Sequence, residues 1–125
     1  MLLRLDQGET ALLLAHMAMT RKSARNTFKR NHKNEKKELL QSFDEVKANL
    51  EHVIENSEAA SDQVYDFYFN VREIKMIYSF LASYIPLISD TVKKAGVKDG
   101  DKEQIEALEK IKEQTYKLLE GASVV

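Results

Sequence analysis

The stretch "LLQSFDEVKANLEHVIENSEAASDQVYDFYFNVREIKMIYSFLASYIPLISDTV" (residues 39–92) carries the strongest pattern in the chain. Stepping alternately by four and three residues from Leu39 meets Phe43, Val46, Leu50, Val53, Ser57, Ala60, Val64, Phe67, Val71, Ile74, Tyr78, Leu81, Ile85, Ile88 and Val92. Fourteen of these sixteen positions are large and apolar or aromatic, and the two exceptions, Ser57 and Ala60, sit together. A 3.5-residue period kept this long is the mark of helices packed along a seam. The gap inside "ENSEAASD" (55–62) leaves two architectures. Either the chain turns there and two helices pack antiparallel, or one rod of about 60 residues runs through, roughly 90 Å long at 1.5 Å per residue. Asn56 and Ser57 favour the turn, whereas Ala59 and Ala60 favour continuation. We adopt the turn.

Outward from this stretch the chain also reads as helical. Neither Gly nor Pro occurs between Glu9 and Ile85, so the tight turns of a β-rich fold lack their usual residues. A first helix is expected over about 7–31, opened by a capping box of Asp6 and Glu9. Asn31, His32 and Asn34 mark its end, since Asn favours caps and turns. The second runs over about 34–56 and the third over about 59–95. Tyr65, Tyr68, Phe69, Met76, Ile77, Phe80, Tyr84 and Leu87 widen the apolar face of the third, which predicts a central position. Pro86 within it predicts a kink or a restart. Lys93, Lys94 and Gly96 predict its end. The last helix is expected over 101–120, opened by an Asp101–Gln104 pair, with Ile105, Leu108, Ile111, Thr115 and Leu118 on one face and a tail at 121–125. The reading is an all-α, up-and-down helical bundle of about four helices with coiled-coil (heptad) character, one domain over residues 1–125.

Several kinds of chemistry have no residues to carry them. The chain has no Cys, which removes disulfides, thiolate metal sites and Cys nucleophiles. Residues Leu13, Lys29 and Asn49 precede His16, His32 and His52 by three positions, so the Glu-x-x-His spacing of a bundle di-iron site is absent. His16 reads as a partly buried helix residue and His52 as exposed. No phosphate-binding Gly loop, His-Glu-x-x-His or Gly-x-Ser-x-Gly occurs. Asp44 and Glu45 are adjacent on a helix and point apart. The aromatic "YDFYF" (65–69) lies among acids and continues the seam, so core packing explains it better than base stacking. No catalytic residue, metal ligand or cofactor is predicted. No apolar run reaches the ~18 residues of a membrane span, and the chain is read as cytoplasmic.

One stretch points to a partner. Residues 21–37 hold eight basic residues and one acid, a net of +7, and residues 38–73 have a net of −7. Arg21, Arg25, Lys29 and Lys33 fall at four-residue steps and so form one helical stripe, with Lys22 and Arg30 beside it. A nucleic-acid binder is usually basic over the whole domain, whereas this chain totals −1. The stripe is therefore read as a face that meets acid, within the molecule or on a protein partner. The predicted role is a non-catalytic binding or regulatory module acting through helical surfaces, self-associating as a homodimer. The alternative is a small DNA- or RNA-binding protein using residues 21–37.

Overall fold

The computed structural model describes residues 1–57 and 62–123. Its elements are β1 (Leu2–Asp6), α1 (Gln7–Met19), α2 (Arg21–Asn31), α3 (Lys36–Glu55), β2 (Val64–Tyr68), α4 (Val71–Ala95) and α5 (Asp101–Ser123). The chain is mostly helical, as expected. It departs from the four-helix expectation in having, among the described residues, five helices and a small antiparallel sheet of β1 and β2.

The first expected helix is two. It opens at Asp6, whose carboxylate accepts from the Glu9 N–H at 2.7 Å while the Glu9 carboxylate accepts from the Asp6 N–H at 3.0 Å. It stops at Thr20, which leaves helical geometry with φ −128°. The Thr20 hydroxyl donates to the His16 carbonyl, serving one of the acceptors that the helix end leaves open. The new direction lets α2 bury Ala24, Thr27 and Phe28. The break at Asn31–Glu35 stands where the asparagines indicated.

The largest departure is in the seam. Helix α3 buries Leu39, Phe43, Val46 and Leu50, and α4 buries Ile74, Leu81 and Ile85, all in heptad phase. Between them, however, Val64–Tyr68 is a strand, and the third helix begins at Val71 rather than at 59. Val64 and Val71 are 55% and 54% exposed while Phe67 is 3% exposed, so no continuous seam forms. Dense aromatic and β-branched residues favour an extended chain. Its alternation sends Phe67 and Phe69 inward, their rings stacked at 5.5 Å. Asn70 then caps α4 by a reciprocal pair with Glu73, at 2.8 and 2.9 Å. Helix α3 ends at Glu55, which excludes the long rod; residues 58–61 of the expected turn lie outside the described residues.

A two-stranded sheet is marginal on its own, and here the helices hold it. Leu3 and Leu5 of β1 are buried beside Phe67. On the outer edge of β1, Gln114 of α5 acts as a strand mimic: its amide oxygen accepts from the Arg4 N–H at 2.8 Å and its Nε2 donates to the Arg4 carbonyl at 3.1 Å. Gln114→Ala is expected to cost about 0.5–1.5 kcal/mol in urea unfolding, the net range for such bonds. A neutral result would mean that water replaces the amide without loss.

Helix α4 packs against α2, α3 and α5, the central position expected, but Tyr65, Tyr68 and Phe69 precede it rather than widening its face, and Tyr68 and Leu87 are exposed. The helix continues through Pro86 without a restart; the group that loses its helical donor is the carbonyl of Ala82, a residue only partly buried. Gly96 ends the helix at φ +88°, the positive region that glycine enters freely. The expected Asp101–Gln104 box does not form. The Asp101 carboxylate accepts instead from the Lys98 N–H at 2.8 Å, and the Gln104 N–H donates to the Gly100 carbonyl at 3.0 Å. Leu108, Ile111 and Thr115 are buried on the face anticipated for α5. That helix continues to Ser123, past the expected end at 120; Val124 and Val125 of the expected tail lie outside the described residues.

Aromatic contacts join four helices. Phe28 of α2 meets Phe43 of α3, Phe43 meets Phe80 of α4, and Phe80 stacks on Tyr84 at 5.1 Å. The Tyr84 hydroxyl lies 2.6 Å from Nδ1 of His16 on α1. His16 is 5% exposed. Burial lowers its pKa, and a Gln104 hydrogen bond works against that shift. The folded state therefore resists a proton that the unfolded chain accepts near the ordinary histidine value of about 6.5. Stability contributed by neutral His16 is present above that value and is lost as pH falls through and below it. The urea midpoint is expected to drop between about pH 7 and 5.5, and His16→Gln should shrink that drop. An identical pH profile in the variant would assign the effect to other groups.

Candidate functional site

The turn between α2 and α3 folds the two halves of the basic run onto each other. Arg21, Arg25 and Lys29 from α2 face Lys36 and Lys37 from the first turn of α3 across a groove of about 330 Å³, with Leu40 contributing to its lining. Lys22, Arg30 and Lys33 are exposed but do not line it. The stripe seen in the sequence thus contributes three of its members. Lys36 and Lys37 were not picked out as site residues, although an antiparallel turn at Asn31–Asn34 was the signal that would bring them there.

Internal pairing uses little of this charge. Arg21 makes a two-pronged bond to Asp44 of α3, Nε to Oδ1 at 2.8 Å and an Nη to Oδ2 at 2.9 Å. That hydrogen bond holds the Asp44 carboxyl below the usual carboxylate range, against the opposing effect of its partial burial. Both side chains are about half exposed, at 50% and 48%, so solvent weakens the pair. The acid within the run, Glu35, turns to Lys75 of α4 at 2.6 Å, and this contact lowers its pKa. Arg25, Lys29, Lys36 and Lys37 have no ion-pair partner among the described residues. Farther along α3 a shallow hollow adjoins the groove, lined by Leu40, Gln41, Asp44, Glu45 and Ala48 together with Arg21 and Lys37, which the two share.

A second concavity, of about 580 Å³, lies between the end of α2 and α4 and is lined by Asn31, His32, Lys75, Tyr78, Ser79 and Ser83. His32 Nε2 is 2.9 Å from the Ser79 hydroxyl. Such a pair is half of a nucleophile–base arrangement, which also needs a group to orient the imidazole. Glu35 is 4.0 Å from His32 Nδ1 and is engaged with Lys75. The contact ties the α2–α3 turn to α4. The sequence carried no signal for it, since the partners are 47 positions apart.

Among the described residues, no group of three or more His, Asp or Glu is placed to hold a metal ion. No helix there is long and apolar enough to cross a membrane. Compared with protein-family models, curated proteins and solved structures, the chain matches none.

Proposed function

We propose that this chain is a non-catalytic binding module whose α2–α3 groove takes an acidic segment of a protein partner, and that it also associates with itself. The observation that carries the first part is the convergence on one groove of Arg25, Lys29, Lys36 and Lys37, which have no ion-pair partner among the described residues. Positive fields of this kind steer acidic partners and select among them. One feature favours protein over nucleic acid: Leu40 and Ala48 in the adjoining hollow offer apolar contact that suits side chains better than phosphates. Self-association draws support from Val64 and Tyr68, exposed together on one face of β2, because apolar residues gathered on an exposed face mark interfaces.

The discriminating experiment titrates the protein with an acidic peptide containing spaced leucines, and separately with DNA and RNA oligonucleotides, at several salt concentrations. The reading expects peptide binding to survive at about 0.15 M salt and oligonucleotide binding to fade there, because phosphate contacts release counterions. Tight oligonucleotide binding at that salt would move the function to the nucleic-acid alternative.

A further inference from the structure

We propose that two copies of this chain join along the edge of β2 that faces away from β1, pairing antiparallel about a two-fold axis at Asp66. The proposal rests on the self-association part of the functional reading and assigns it a surface.

The hydrogen-bond pattern identifies the edge. Met1 and Phe69 exchange both backbone bonds, at 2.7 and 2.9 Å. Bonded and non-bonded pairs alternate in an antiparallel ladder. The register Leu3↔Phe67, Arg4↔Asp66, Leu5↔Tyr65 therefore makes Arg4↔Asp66 a non-bonded pair. Arg4 bears this out, since its N–H and carbonyl both turn outward to Gln114. At Val64, Asp66 and Tyr68 the backbone groups accordingly point away from β1. The outer edge of β1 is closed by Gln114, and β2 is the last strand of the sheet among the described residues. An open edge of this kind is a template for another strand.

The side chains on the outer face select the occupant. Val64, Asp66 and Tyr68 are all exposed, Tyr68 by 77%. Their order, apolar–acid–apolar, is symmetric about Asp66. With Asp66 opposite the second copy's Asp66, each Val64 meets the other copy's Tyr68, a β-branched–aromatic pair of the stabilising kind. Shifting by one rung sets an apolar side chain against the acid. The facing carboxylates are each held by Arg4 of their own chain at 3.2 Å, so the row across four strands reads Arg4–Asp66–Asp66–Arg4 and is neutral. A strand edge this short buries less than the ~1,200 Å² of a standard interface, so the dimer is weak, and the facing acids limit it further.

Sedimentation equilibrium of the full chain over a wide concentration range, paired with amide hydrogen exchange by NMR, tests the proposal. At concentrations that give dimer, the amides of Val64, Asp66 and Tyr68 are expected to slow by about tenfold, because exchange then requires the edge to open. Asp66→Asn should raise the dimer fraction, and Val64→Lys with Tyr68→Lys should return a monomer with unchanged urea unfolding. A dimer whose three edge amides exchange as fast as in the monomer would overturn the edge while leaving self-association standing. A monomer at every concentration would overturn both. Weaker dimerisation in Asp66→Asn would overturn the register with facing acids.

Discussion

Replacing Phe43 by Ala is expected to remove about 3–5 kcal/mol of folding stability, the range for emptying a fully buried aromatic site. Phe43 is 0% exposed. Its ring stands edge-on to Phe28 at 6.5 Å and to Phe80 at 5.6 Å. The void would therefore touch α2, α3 and α4 together, and side chains on three helices cannot all close on it without moving backbone. A small domain holds only about 5–15 kcal/mol in total, so the variant should lie near the edge of unfolding. Val71→Ala is the contrast. Heptad phase places both residues on one seam, yet Val71 is exposed, and its loss should stay within about 0.5 kcal/mol. Urea unfolding of the two variants measures the difference. Similar losses at both positions would restore the continuous seam and refute the strand.

Reversing Arg25, Lys29 and Lys37 to Glu is expected to weaken acidic-peptide binding at least about 100-fold at low salt. Like charges brought together at an interface cost several kcal/mol, and added salt should narrow the gap by screening. Arg21 is left in place because it is bonded to Asp44. The three altered side chains are exposed and have no ion-pair partner among the described residues, so the urea midpoint should hold. Unchanged peptide affinity would remove the groove from the function. A fallen midpoint with retained affinity would make the basic run part of the scaffold.

The features legible in the sequence are those set within a few residues. Asp6 with Glu9 marks a helix start because capping joins positions three apart. Asn31–Asn34 marks a break through the local preferences of asparagine. Gly96 marks an end through its own backbone freedom, and the breadth of apolar side chains from Ile74 to Ile85 marks a helix with neighbours all round. The charge of the groove was likewise visible as composition, and its α2 half as a four-residue stripe.

Tertiary structure decided the rest. At Val64–Tyr68 a 3.5-residue count and a two-residue alternation both find apolar residues where they need them. The choice depends on Leu2–Asp6, whose leucines pair with this segment across sixty or more positions. No local preference registers such a partner, because the free energy of burying Phe67 against Leu3 exists only once the two strands meet. Convergence follows the same rule. Lys36 and Lys37 join Arg25 and Lys29 only because the chain reverses between them, and the groove's unneutralised charge depends on where the acids go. Asp44 reaches Arg21, while Glu35 is drawn to Lys75 on α4, forty positions away.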